Sequence, residues 1–251
     1  MKKLLIIIAM CLSNIVAFAN TNQIIFDKAN SLYQQGNYEE AAKLYKEKLN
    51  SGNESAVIYF NLGNAYYKLN NIAQSILNYE RAKRLSSADE DIDFNLKLAN
   101  LKVVDKVEEI PQLFYKRWGH SFSQVFSLDN WALAAIIFCW LTVIAAVLFV
   151  LSKSIFPKKI FFFLGLTTIL ITLFAFFFAQ HQHNLQTSTK AAIVFESNVY
   201  VKSSPDEKSV DLFILHEGSK VQILDQIGVW EKIKLANGNE GWMKAEGLEV
   251  I

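Results

Sequence analysis

Two stretches of the chain, Trp131 to Leu151 and Ile160 to Ala179, run for 21 and 20 residues without an Asp, Glu, Lys, Arg or His. At about 1.5 Å of rise per residue, each covers the roughly 30 Å hydrocarbon core of a bilayer. A single soluble globule is therefore excluded, and a transmembrane hairpin with spans 129–151 and 160–179 is expected. The connector 152–159 carries Lys153, Lys158 and Lys159 and no acidic residue, so the positive-inside bias assigns it to the cytoplasm. A third apolar block, Leu4 to Ala19, follows Lys2-Lys3 and ends Ala17-Phe18-Ala19, the pattern of a cleaved secretory signal over residues 1–19. Met10 stands where a lipoprotein signal anchored at Cys11 needs a small residue, and the block is short for a span. Signal and connector agree. The soluble parts, 20 to about 128 and 180–251, are both expected on the exterior side of a bacterial inner membrane, the periplasm where an outer membrane exists.

The remaining composition narrows the function classes. A net charge of +1 lacks the basic stripe with which a nucleic-acid binder displaces counterions. Cys11 and Cys139 both lie in apolar blocks, which leaves no disulfide framework and no thiolate metal site. His181 and His183 form an H-x-H pair with no third ligand nearby. The absence of an ionisable group within the spans argues against a pump or proton relay. Cys139, Thr142, Thr167, Thr168 and Thr172 read there as helix-packing or backbone-bonded residues. No nucleophile elbow, phosphate loop or zinc motif occurs, so no enzymatic activity, cofactor or metal is expected.

The first external part repeats at a spacing of 34. Ala29 returns as Gly63, Leu32 as Tyr66, Tyr38 as Ile72, Ala41 as Ser75 and Tyr45 as Tyr79. This resembles the tetratricopeptide repeat, a helix-turn-helix unit, with Tyr59, Leu62, Gly63, Tyr66, Tyr79 and Ala82 at the signature positions of the better copy. The expected domain is all-α over 20–110, with units at about 22–55 and 56–89 and a capping helix at 90–107. A second set recurs at the same spacing: Phe26, Asn30 and Tyr33 return as Phe60, Asn64 and Tyr67, and the phenylalanine again as Phe94. Spacings of four and three put each trio on one helix face. The resemblance implies that this face lines a concave peptide-binding groove. An amide there offers paired donor and acceptor to a ligand's main chain. The phenylalanines suit an inter-helix core as well as a groove, whereas the asparagines favour the groove. Phe26 and Phe60 also stand where carboxylate-clamping relatives use lysine.

Residues 111–128 are expected as an amphipathic, membrane-proximal helix. Phe114, Trp118, Phe122 and Phe126 recur every fourth residue beside Lys116 and Arg117, which suits either the lipid headgroup layer or packing on the repeats. After a polar linker, 180–190, short alternating runs at Val194, Val199–Val201, Leu212–Leu215, Val221–Leu224, Val229–Ile233 and Gly241–Met243 predict a small all-β barrel over 191–251. Val201-Lys202-Ser203-Ser204-Pro205, Leu215-His216-Glu217-Gly218, Gly228-Val229-Trp230 and Gly241-Trp242-Met243 resemble, in that order, a bacterial SH3 domain. The resemblance implies binding of peptide or cell-wall material, with Trp230 and Trp242 as its surface aromatics.

The order of signal, repeats, aromatic bridge, hairpin and SH3-like barrel resembles the repeat-bearing, BatE-type members of the Bacteroides aerotolerance (Bat) operon proteins. Asn61-Leu62-Gly63-Asn64-Ala65-Tyr66 and Asp93-Phe94-Asn95-Leu96 are its more specific segments. The resemblance implies a non-catalytic membrane adaptor that works with Bat proteins carrying von Willebrand type A domains and with a MoxR-type ATPase, in tolerance of oxidative or envelope stress. A cell-wall sensor binding peptidoglycan through the barrel is the alternative.

Overall fold

The spacing of 34 is carried by the backbone as well as by the side chains. In the computed structural model, which describes residues 24–52, 54–107, 125–188 and 190–251, helix α1 (24–34) is followed by α2 (Tyr38–Asn50), α3 (Ala56–Lys68), α4 (Ile72–Leu85) and α5 (Glu90–Asn100). Gly36 and Asn70, 34 apart, both take a positive φ (83° and 58°) in the turns after α1 and α3. Glycine and asparagine tolerate that conformation better than other residues, and it reverses the chain within a few residues. Asp89 caps α5, its side chain accepting from the amides of Asp91 and Ile92.

Small residues let the helices close on one another. Ala29, Ala41, Ala65, Ala73 and Ala82 are fully buried, and the Gly63 backbone lies flat against the Tyr79 ring, which a Cβ would approach to 2.7 Å. Ser75 Oγ donates to the Gly63 carbonyl at 3.0 Å, so this buried hydroxyl is satisfied inside the helix pair.

The C-terminal region is a seven-stranded antiparallel sheet. Its strands are β1 (Ala191–Val194), β2 (Val199–Lys202), β3 (Asp211–Leu215), β4 (Lys220–Ile227), β5 (Trp230–Lys234), β6 (Glu240–Lys244) and β7 (Leu248–Val250), in the order β3-β2-β6-β5-β4-β1-β7. The sheet is open, with β3 and β7 at its two ends. Val194, Val199, Val201, Leu215, Val221, Ile233 and Met243 converge in one buried cluster, with Leu248 packed against it. All seven strands thus face a common core, which requires a strongly curved sheet. Each expected run falls on a strand; Val229 lies in the turn before β5, and β7, three residues long, was too short for an alternation to reveal.

The chain divides into two compact units, and the first joins the repeats to the sheet. Ile193, fully buried on β1, sits in one cluster with Ala73, Ile76, Leu77, Leu96, Ala99 and Val103, and Phe195 and Ile251 pack against it. Polar contacts follow the same seam. Lys220 pairs with Glu80 at 2.7 Å, Arg81 donates to the Val250 carbonyl at 2.7 Å and pairs with Glu249, and Arg84 donates to the backbone oxygen of Ile251 at 2.6 Å. Just beyond α5, Asp105 accepts from the His216 amide (2.7 Å), the His216 Nδ1 (2.7 Å) and the Ser219 hydroxyl (2.5 Å). Burial pushes the Asp105 carboxyl up, but these hydrogen bonds outweigh it and hold the group below its ordinary value.

The second unit contains two helices, Leu128–Leu151 and Ile155–Ser188, each long and apolar enough to cross a membrane. They form a hairpin. Thr142 Oγ1 donates to Thr168 Oγ1 at 2.9 Å, Ala145 and Gly165 meet closely, and Trp131 stacks on Phe178. Thr167 and Thr172 bond back to the carbonyls of Phe163 and Thr168. Two boundaries differ from expectation. The second helix starts at Ile155, because Pro157 is tolerated in a first turn whose amides have no intrahelical acceptor. It also runs on through most of the segment expected as a linker, since Gln180 to Ser188 holds no Gly or Pro to stop it. The expected signal (1–19) and Phe114, Trp118 and Phe122 lie outside the described residues; Phe126 is half exposed and edge-on to Trp131 at 5.1 Å.

The shared core makes two predictions. Ile193→Ala is expected to cost about 2–5 kcal/mol and to quicken amide exchange in α4 and α5 as well as in the sheet, read by peptide-resolved hydrogen–deuterium exchange on the full chain in detergent. For Asp105, a depressed folded pKa contributes stability above the unfolded value of about 3.9 and loses it as pH falls through the folded value. Asp105→Ala is therefore expected to cost about 1–3 kcal/mol at pH 7, with the gap to wild type narrowing on acidification below about pH 4.

Candidate functional site: the repeat groove

Asn30 on α1 and Asn64 on α3 occupy equivalent positions, and the structure gives them equivalent surroundings. Asn30 Oδ1 accepts from the Tyr45 hydroxyl at 2.6 Å and from Asn61 Nδ2 at 3.2 Å. Asn64 Oδ1 accepts from the Tyr79 hydroxyl at 2.6 Å and from Asn95 Nδ2 at 2.9 Å. Each cluster thus ties the two helices of one unit to the first helix of the next. An amide oxygen has two lone pairs, and both are used.

Burial, reinforced by the neighbouring Tyr33, pushes the Tyr45 hydroxyl up to about 12, and Tyr79 is raised further, chiefly by burial. Both therefore remain neutral hydroxyl donors across the physiological range. Burial and the adjacent Tyr38, whose ring is edge-on at 5.1 Å, raise Tyr33 as well.

Asn30, Tyr33, Gln34, Tyr45, Asn61 and Asn64 line a cleft of about 230 Å³ on the inner side of α1 and α3. Of the residues expected in the groove, it collects Asn30, Tyr33 and Asn64. Phe26 and Phe60 lie outside this lining and pack half-buried against Tyr45 and Tyr79, with ring centroids at 6.1 and 5.9 Å. Lys48 lies 5.0 Å over the Phe26 ring. Tyr67 packs against the core shared with the sheet, with Lys102 4.2 Å over its ring, and Phe94 is 62% exposed on α5. Sequence reasoning missed Gln34, Tyr45 and Asn61 as lining residues. The signal for two of them was present, because Tyr45 and Asn61 return at a spacing of 34 as Tyr79 and Asn95.

On the sheet, Trp230 pairs with Lys244, and Trp242 with Lys232 and Lys202, so all five lie on one face, opposite buried Ile233 and Met243. Both tryptophans are half-buried. The lysines of this face have carboxylate partners: Lys202 with Asp211, Lys232 and Lys234 with Glu240, and Lys244 with Glu207. The face is aromatic and close to neutral. Hydrogen bonds from Lys234 and Lys232 hold the Glu240 carboxyl below its ordinary value. A polar hollow of about 400 Å³ near β7 includes Asn78 and Arg81, but the guanidinium is already spent on Glu249 and Val250. Among the described residues, no three His, Cys, Asp or Glu side chains gather as a metal site.

Comparison with known families agrees with this geometry. Residues 29–70 match a family model described as TPR repeat, and residues 56–89 match one described as tetratricopeptide repeat. The second match spans the unit expected from the sequence, including α3 and α4. No curated protein matches the chain. The chain therefore contains tetratricopeptide repeats, a class of protein-binding module, together with two long apolar helices and an antiparallel sheet.

Proposed function

We propose that the chain is a non-catalytic, membrane-anchored adaptor whose repeat groove holds a segment of a partner protein on the outer side of a bacterial inner membrane. The observation that carries the reading is the cleft between α1 and α3, lined only by helix residues, which collects the Asn30-Tyr45-Asn61 cluster and Asn64 of its counterpart in the next unit. Two crossings of a membrane return a chain to the side it left. Repeats and sheet that share one core must then lie on a single side, and the lysines of the connector favour the cytoplasm for the turn between the spans. The signal-like N-terminus makes that single side the exterior. The whole-chain resemblance names the setting: Bat-type membrane proteins with von Willebrand type A domains and a MoxR-type ATPase as partners, in oxidative or envelope stress tolerance.

Changing Tyr33 and Gln34, which line the cleft, to Ala in the full chain is expected to reduce recovery of cross-linked partner in detergent pull-downs by at least about tenfold, with helicity retained by circular dichroism. Unchanged recovery would count against the adaptor.

The tryptophan face favours a second reading. The sheet is read as SH3-like, and two half-buried indoles on one neutral face suit the flat faces of sugar rings in peptidoglycan. Detergent-solubilised full chain is then expected to co-sediment with purified sacculi, and the Trp230→Ala, Trp242→Ala double variant to remain in the supernatant. Equal sedimentation of the two would remove the reading.

A further inference from the structure

The turn between β4 and β5 has the wrong composition for a turn that faces only water. Gly228-Val229 joins the two strands, with Ile227 paired directly to Trp230 across the hairpin. Gly228 takes a φ of 60°, the role of glycine at the first central position of a tight hairpin turn. The second central position ordinarily takes a polar residue. Here it is Val229, and Val229 and Ile227 are 65% and 52% exposed. The connections after β2 and β5 are polar instead, with Ser203-Ser204-Pro205-Asp206 and Asn237-Gly238-Asn239. The Val229 carbonyl accepts from the Ala245 amide at 2.9 Å, which ties the apolar tip to the end of β6.

Behind the tip the side chains are graded. Ile227 and Trp230 lie on the outer face of the sheet with Trp242, Lys232 and Lys244, whereas Glu231 lies on the other face, paired with buried Met243. Aliphatic tip, indole, then lysine is the order in which side chains enter a bilayer interface from the acyl chains outward. Lys232 pairs with Glu240 and Lys244 with Glu207, so apolar burial is what this surface offers, with little net charge. Ile227 and Val229 bring no side-chain donor or acceptor to a sugar or a main chain, and lipid chains ask for none. The covalent path is short. The second apolar helix runs nine residues past Ala179 to Ser188, about 14 Å, and three more residues, at most about 11 Å, reach Ala191 on β1. Val221 lies beside Ala192, and Ile227 is six residues further along β4, about 20 Å. A sheet tethered within about 25 Å of the end of a span can lay a tip of that reach on the lipid surface, a modest helix tilt closing the difference.

Resting on the reading that the two apolar helices cross a membrane, we propose that the β4–β5 tip is a lipid-contacting site: Ile227 and Val229 enter the boundary between headgroups and acyl chains, with Trp230 at headgroup level.

The test uses the full chain in lipid nanodiscs of phosphatidylcholine, with and without phosphatidylglycerol. Cys11 and Cys139 are changed to Ala, and an environment-sensitive fluorophore is placed on Val229→Cys or, as control, on Asn237→Cys in the turn at the far end of β5. The label at 229 is expected to shift to the blue and to be quenched by nitroxide-bearing lipid in both compositions, equally at about 0.1 M and 1 M salt, while the label at 237 stays accessible to aqueous iodide. Ile227→Asp, at an exposed position, is expected to abolish lipid quenching of the 229 label with strand content unchanged by circular dichroism. Equal behaviour of the two labels, quenching that requires anionic lipid, or an Ile227→Asp variant quenched like its parent overturns the inference and leaves the membrane reading standing. A 229 label shielded from iodide by purified sacculi but not by lipid gives the tip to the cell wall and also overturns it. A chain that fails to co-elute with the discs overturns both.

Discussion

The apolar seam between the repeats and the sheet is the interaction on which the rest of the molecule depends. Ile193 is the first strand's contribution to a core otherwise built from α4, α5 and Val103, so neither the last repeat helices nor β1 is fully covered without the other. Two repeat units and one capping helix expose an apolar end that a longer array would cover with further repeats. Here the sheet covers it. The ion pairs and backbone contacts of Glu80, Arg81 and Arg84, and the Asp105 cluster, lie along the same seam and fix how the two parts meet. Partly exposed pairs of this kind add modest stability, and the directional contacts set orientation more than energy.

That seam also constrains the part of the chain that it does not contain. The segment between Glu109 and Lys190 leaves the first unit and must come back to it, whatever path it takes. Within that segment the helices Leu128–Leu151 and Ile155–Ser188 form a hairpin, which turns the chain back along its own path. The groove lies away from the seam, lined by α1, α2 and α3 residues alone, so a ligand there competes with no contact that holds repeats and sheet together.

Asn30 and Asn64 tie successive repeats through their side-chain oxygens, each of which accepts from a tyrosine of its own unit and from an asparagine of the next. Both also line the cleft, so the stacking of the units fixes where these two side chains sit in it.

Much of this was legible in the chain because it is local or periodic. The spacing of 34 located the units, uncharged runs of about 20 residues located the long helices, and alternation located the strands. Asn30, Tyr33 and Asn64 were legible as one face for the same reason. What could not be read depends on contacts between residues far apart in sequence. Asp105 meets His216 across 111 positions, and no pattern at either residue announces the other. The ring contacts of Phe26 and Phe60 with Tyr45 and Tyr79, the partners of the asparagine oxygens and the joining of repeats to sheet through Ile193 are likewise visible only in the folded molecule. Periodicity says which residues share a face, whereas packing alone says what that face meets.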